Sequence, residues 1–313
     1  MTSGLLSRWL DSGALDLPLP GGGETARRWH RLAELAEVDV VAARLAEAHT
    51  DAVAILAELG GSESKSGQLW GVWAAESRDA VLSAHGDGEA TSLNGTKVWC
   101  SGAGLCTHAL VTARLDSGER GLFAVDLRNP GVRPLPSGWR NPGMAESDTR
   151  SVQFSDAPAK PVGRPGEYLS RPGFWHGAIG VAACWLGGAR AVAQPLYARP
   201  AHDPVDPHTL AHLGAVDAAL AAGEAMLDSA AVAVDNDPLN RKGAAEMIAR
   251  RTRAVIETAV EVSIGRTGRA LGPAPLCQDA QHAKRVADLT VYVRQSHAER
   301  DLERLGVLAG TAP

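Results

Sequence analysis

The spacing of apolar residues changes period twice along this 313-residue chain, and that order restricts the fold more than any single motif. To about Gly61, Leu32, Leu35, Val38, Val40, Val41, Leu45, Ala48, Ala52, Ile55 and Leu56 recur at roughly helical spacing. Gly60-Gly61 ends that pattern, as C-terminal glycines do. Residues 18–23 read as a loop. From about 68 to 162 the apolar runs shorten to strand length, at 69–74, 96–100, 109–113 and 121–125. Turn-rich pieces at 85–88, 93–95, 116–118 and 128–131 separate them. Asn94-Gly95 reads as a hairpin turn, because a type I′ turn needs positive φ at both central positions. Short strands at this spacing predict a small antiparallel barrel or sandwich. From about 172 the helical period returns in four long, Ala-rich stretches, at 174–196, 209–234, 241–269 and 279–305. Pro200, Pro204 and Pro207 interrupt it, as does Asn236-Asp237-Pro238. Four long helices with short connections predict an antiparallel four-helix bundle. The expected class is therefore α+β, mostly α. Its domains are N-terminal helices (1–67), a middle β domain (68–165) and the bundle (166–313).

Composition narrows the function classes. The chain is 45% hydrophobic and 21% charged, which is the range of ordered globular proteins, with aromatics at only 4%. Its formal charge is −5 and its basic residues are scattered, so no nucleic-acid footprint is expected. The densest basic cluster, Arg250-Arg251-Thr252-Arg253, sits in a helical pattern and reads as a solvated helix face or an anion contact. Cys100, Cys106, Cys184 and Cys277 form no CxxC pair and no Cys/His cluster at metal spacing, so reduced thiols in a cytoplasmic protein are expected. Residues 1–11 lack a basic, then apolar, leader, and no uninterrupted apolar stretch reaches bilayer length, so no membrane association is expected.

Three segments carry a family resemblance. The first is Leu93-Asn94-Gly95-Thr96-Lys97-Val98-Trp99-Cys100-Ser101-Gly102. The second runs over 152–173 and includes Val152-Gln153-Phe154-Ser155-Asp156-Ala157-Pro158. The third, at 255–272, ends in Gly265-Arg266-Thr267-Gly268-Arg269-Ala270-Leu271-Gly272. In order and spacing they resemble the acyl-CoA dehydrogenase family, whose members place a β-barrel domain between helical domains. The resemblance spans about residue 68 to the end.

The resemblance implies a flavin cofactor, FAD, and a homodimer or homotetramer joined through the bundle. It matches Trp99 to a flavin-packing Trp and Ser101 to a hydroxyl that bonds the flavin, with Cys100 between them. An aromatic face supplies stacking area and one hydroxyl fixes orientation. Without the resemblance, Trp99 reads as a strand Trp buried in a β core. An earlier flavin-contacting strand corresponds to 72–79, where Ala75 replaces a Thr and Glu76 is kept; Trp70 and Trp73 read as core or cleft residues. Arg199 corresponds to the Arg of a diphosphate-binding segment, but the Phe-Gly that follows it in the family is missing from 197–204.

Family dehydrogenases remove the α proton of an acyl-CoA thioester with a Glu while hydride passes to the flavin, and pass electrons to an acceptor flavoprotein. A desolvated carboxylate suits that task because burial raises its basicity. Here the expected position falls near Gln295 or Ser296, and the alternative position on the first bundle helix falls near 173–176; neither holds a carboxylate. His176, His297 and Glu299 are the substitute candidates. Two other readings keep the fold: a flavin-dependent monooxygenase, which uses reduced flavin and O₂ without that Glu, and a non-catalytic partner subunit or binding module.

Overall fold

The computed structural model describes residues 2–77, 79–86, 88–199 and 206–311. Arg78, Asp87 and the proline-broken stretch 200–205, all within segments singled out above, lie outside the described residues. The fold is the expected one: N-terminal helices, a middle β domain and C-terminal helices. It divides into two compact units, Met1–Leu17 with Leu45–Arg140 and Ala145–Phe174, and Pro18–Arg44 with Asn141–Met144 and Trp175–Pro313.

The first unit holds α1 (Thr2–Asp11), most of α3 (Val40–Glu58), the short α4 (Glu167–Ser170) and the sheet. Its strands are β1 (Trp70–Trp73), β2 (Leu82–His85), β3 (Ser92–Cys100), β4 (His108–Arg114), β5 (Arg120–Asp126), β6 (Val132–Pro134), β7 (Arg150–Pro158) and β8 (Lys160–Pro161). They run in the order β6-β7-β3-β2-β4-β5-β8, with β1 added on β4. Five pairings are antiparallel; β1 and β2 meet β4 in parallel. Successive strand side chains face opposite ways. Ala109, Val111, Ala113, Phe123 and Val125 therefore join one core with Trp73, Leu93, Val152 and Phe154. Leu110 and Leu122 join a second, with Ile55 and Leu56 of α3, Trp70, Val162 and Tyr168. Burial on both faces explains why β4 reads as a continuous apolar run. Arg171, almost fully buried, ties α3 to the start of the next helix. Its guanidinium bonds Glu58 Oε2 at 2.6 Å, and Glu58 Oε1 accepts from Gly173 N at 3.0 Å.

Asn94-Gly95 is not a hairpin turn. Both residues lie inside β3, paired to β2 and β7. Gly95 has φ +120°, and a Cβ there would sit 2.2 Å from the Val81 carbonyl oxygen, so close backbone approach is what requires glycine. Asn94 instead brackets a bulge in β7: its amide donates to Asp156 Oδ1, and its oxygen accepts from Asp156 N, both at 2.9 Å. Asp156 takes the positive φ there.

The second unit contains α2 (Thr25–Val38), the start of α3, α5 (Gly173–Ala198), α6 (Pro207–Asn236), α7 (Ala245–Leu271), α8 (Ala274–Gln278), α9 (Ala280–Tyr292) and α10 (Glu299–Thr311). The helical pattern that runs to Gly61 divides into two helices, α2 and α3. Asp39 adopts an extended conformation between them, and its carboxylate accepts from Ala42 N, capping α3. The stretch 279–305 likewise breaks after a 3₁₀ turn at Val293–Gln295, and Ser296 is extended. Glycines set close packing: a Cβ on Gly187 would fall 2.0 Å from the Ala33 carbonyl oxygen. By length and composition alone, though its apolar run is interrupted by Asp217, Glu224 and Asp228, α6 is apolar enough to cross a bilayer. Within the unit the helix packs along α7. Its Asp228 and Asp235 bond His30 and Thr25 at α2.

Candidate functional site

In β3 the inward positions run Leu93, Gly95 and Lys97, so strict alternation would turn Trp99 into the core. It does not. Lys97 pairs with Val152 but Cys100 pairs with Arg150, so one extra residue is inserted in β3. This bulge is made at Trp99, which holds φ +59°, a conformation that costs a bulky side chain energy. The slip buries Cys100 fully and leaves Trp99 64% exposed. The core-Trp reading is thereby overturned, and the indole stands as an open aromatic surface.

Ser101, two residues on, starts a turn pinned to the segment before β7. Gly102 N donates to the Ser147 carbonyl at 2.7 Å, Ala103 N to that of Asp148 at 3.2 Å, and Gly104 N to Asp148 Oδ2 at 2.7 Å. The Ser101 hydroxyl lies 3.0 Å from Thr149 Oγ1, which lies 2.8 Å from Ser147 Oγ. Trp73, at the end of β1, donates Nε1–H to the Ser101 carbonyl at 2.9 Å. The two segments singled out from sequence, 72–79 and 99–101, thus meet. Exposed Ala75 and Glu76 continue from Trp73 as irregular chain.

Beneath them lies a charge cluster that the residue patterns alone did not reveal. Lys97, almost fully buried, donates Nζ–H to Glu76 Oε1 at 3.0 Å and to the Thr112 carbonyl and hydroxyl oxygens, each at 2.8 Å. Arg120 Nε is 3.6 Å from the same carboxylate oxygen. Burial pushes the Glu76 carboxyl up, but bonds and charge from Lys97, then Arg120, outweigh it and hold the group below its usual range. Burial lowers the Lys97 ammonium, and Glu76 opposes that. Glu76 is therefore anchored as an ion-pair partner. The signal that marks it is a Lys on the inward parity of a strand, which demands a buried counter-charge. Burial also raises the Cys100 thiol far above its ordinary value, so no thiolate forms there.

The remaining candidates belong to the helical unit. His176 is buried in the first turns of α5. Beside it, Trp175 lies under the Arg250 guanidinium at 5.1 Å from the ring centre, and Arg250 Nη1 bonds Asp301 Oδ1 at 2.7 Å. His297 donates its backbone N–H to Asp301 Oδ2 at 3.2 Å while its ring stays 72% exposed. Glu299 is exposed in the first turn of α10, and Arg199 is exposed just past α5. Neither His297 nor Glu299 is desolvated, as an imidazole or carboxylate base would need. The sequence reading missed Glu257. Ser296, which with Gln295 marks the region where the resemblance puts the family's Glu, donates its hydroxyl to Glu257 Oε2 at 2.6 Å, so α7 brings a carboxylate there.

Residues 75–157 match the sequence model of the acyl-CoA dehydrogenase middle domain, which contains β2 to β7 and the bulge at Trp99. No curated protein matches the chain by sequence. Among solved structures it is similar to TdsC from Paenibacillus sp. A11-2 in complex with FMN and indole. That similarity has 19% identity, covers 93% of this chain and 85% of that one, and has a TM-score of 0.80. It is also similar to the methanesulfinate monooxygenase MsuC from Pseudomonas fluorescens (17%, 100% and 97%, 0.81). A third is the nitrososynthase from Micromonospora carbonacea var. africana (17%, 97% and 88%, 0.79). The chain thus carries an acyl-CoA dehydrogenase middle domain at residues 75–157 and, over its whole length, shares the fold of these structures.

Proposed function

We propose that the protein is a flavin-dependent monooxygenase of this fold, with FMN carried on the Trp99–Ser101 edge of the β unit. The observation that carries the reading is the bulge. It spends strain to hold an aromatic face in the open, beside a partly exposed hydroxyl, which fits a planar heteroaromatic ring. Two of these similarities support oxygenase chemistry: the names of TdsC and MsuC specify monooxygenation of sulfur compounds, dibenzothiophene and methanesulfinate, and TdsC carries FMN. The missing Phe-Gly after Arg199 favours FMN over FAD, because a mononucleotide needs no adenine-side anchor. A reduced flavin supplies two electrons, with which one atom of O₂ enters the substrate and the other leaves as water. Trp99 would stack and Ser101 orient the ring; Lys97 and Glu76 hold β3 and the 74–77 chain in place. The chain is proposed to form a homodimer or homotetramer through its helical unit, supported by the exposed Leu210, Val232 and Leu239.

O₂ consumption with chemically reduced FMN and sulfur-centred substrates tests the reading. Substrate-dependent uptake with an oxygenated product is expected. Dye reduction by acyl-CoA thioesters with no such uptake would replace it by a dehydrogenase reading, with FAD, an acyl thioester and an acceptor flavoprotein. Glu257 is what favours that second reading, and Glu257→Gln would then abolish dye reduction.

A further inference from the structure

We infer that Thr149 is a positioning residue that makes Ser101 a hydrogen-bond donor to its ligand; the inference rests on the flavin reading above. Ser147, Thr149 and Ser101 form a chain of three hydroxyls joined by two contacts, 2.8 Å and 3.0 Å. Each hydroxyl owns one proton, so two protons fill the contacts and one is left over. Ser147 is 1% exposed, and among the described residues its hydroxyl has no partner but Thr149. Were its proton the one left over, a buried donor would go unpaired, which folded proteins avoid. Ser147 therefore donates to Thr149. Among the described residues the Thr149 proton then has one acceptor, Ser101 Oγ, and the free proton belongs to Ser101, the hydroxyl next to the exposed indole. The anchor is firm, because backbone bonds from Gly102 and Ala103 fix the Ser101 turn to the carbonyls of Ser147 and Asp148.

A directed donor distinguishes ligand states. Oxidised flavin offers ring nitrogens and carbonyls as acceptors, whereas reduction places N–H groups on the central ring. The Ser101 site is thus built to hold an acceptor atom, and Thr149, which need not touch the ligand, sets that preference.

The test is the ratio of oxidised to reduced FMN affinity, measured by fluorescence quenching and by spectroelectrochemistry. In Thr149→Val the Ser101 hydroxyl is free to rotate, and the Kd for oxidised FMN is expected to rise about fivefold while that for reduced FMN does not. That moves the bound potential positive by about 20 mV. Thr149→Ser keeps the chain and restores wild-type values. Ser147→Ala, a small change in case the Val variant fails to fold, shifts the ratio in the same direction. A double variant with Ser101→Ala shows no further effect of Thr149→Val. An unchanged ratio in both Thr149→Val and Ser147→Ala, with wild-type protein binding FMN, overturns the inference and leaves the flavin reading standing. A wild-type protein that binds no FMN overturns both.

Discussion

At the scale of single residues, the most informative position is Trp99, where backbone strain and exposure coincide. A bulky side chain at positive φ costs of order 1 kcal/mol or more, and an indole so exposed recovers little of that by burial. Trp99→Gly is therefore expected to raise unfolding free energy by roughly 1 kcal/mol in denaturant titrations while weakening FMN binding. A loss of stability would mean that the indole packs in a way its exposure does not indicate. Lys97 poses the opposite case. Glu76→Ala leaves the Lys97 ammonium buried with only the Thr112 oxygens, and about 2–3 kcal/mol of destabilisation is expected, below the full buried-pair range because Glu76 is one-third exposed. Lys97→Met, which removes the buried charge itself, should cost less than Glu76→Ala, a ranking that chemical denaturation of the two variants checks. Trp99 and Ser101 could be nominated from sequence because the Asn94–Gly102 run is distinctive. The face that Trp99 takes was not legible there, because one inserted residue reverses which side of a strand is inward.

At the scale of elements, the loop entering β1 shows how a small polar network sets pH behaviour. Gln68 Oε1 accepts from Lys65 N at 2.8 Å and Trp70 Nε1 at 3.2 Å, which turns its amide nitrogen toward His108 Nε2 at 3.1 Å. His108 Nε2 then accepts, and its Nδ1–H donates to Thr107 Oγ1 at 2.9 Å, so the neutral ring is the one that fits. The ring also stacks on Trp70 and faces Asp126 and Arg128. Burial first, against the pull of Asp126, holds its protonation below the ordinary value of 6.5. As pH falls through 6.5, the unfolded chain takes up the proton before the folded one, so stability is full above 6.5 and declines below it. Burial lowers His282 in the same direction, so His108→Asn should reduce the slope of stability against pH between about 5 and 6.5 rather than abolish it. Urea midpoints measured across that interval decide the point. Element types were legible wherever apolar periodicity was long. The breaks at Asp39 and Ser296 and the strand course of Asn94-Gly95 were not, because each depends on a partner distant in sequence or on a cap that outweighs local propensity.

At the scale of the whole molecule, an oligomer is the proposal most directly checked: light scattering should return twice or four times the 32.7 kDa chain mass. A monomer at micromolar concentration would remove it. The order of helices, strands and helices could be read from the chain alone, because period 3.6 and period 2 are printed in the apolar spacing itself. So could the residues that resemble a flavin edge. Tertiary pairing settled the rest. It brought Trp73 and Glu76 to Ser101 and Lys97, bent β3 so that an indole faces outward, aligned three hydroxyls from two segments, and set Glu257 against Ser296. Each of these rests on contacts across tens of residues, which local spacing does not encode.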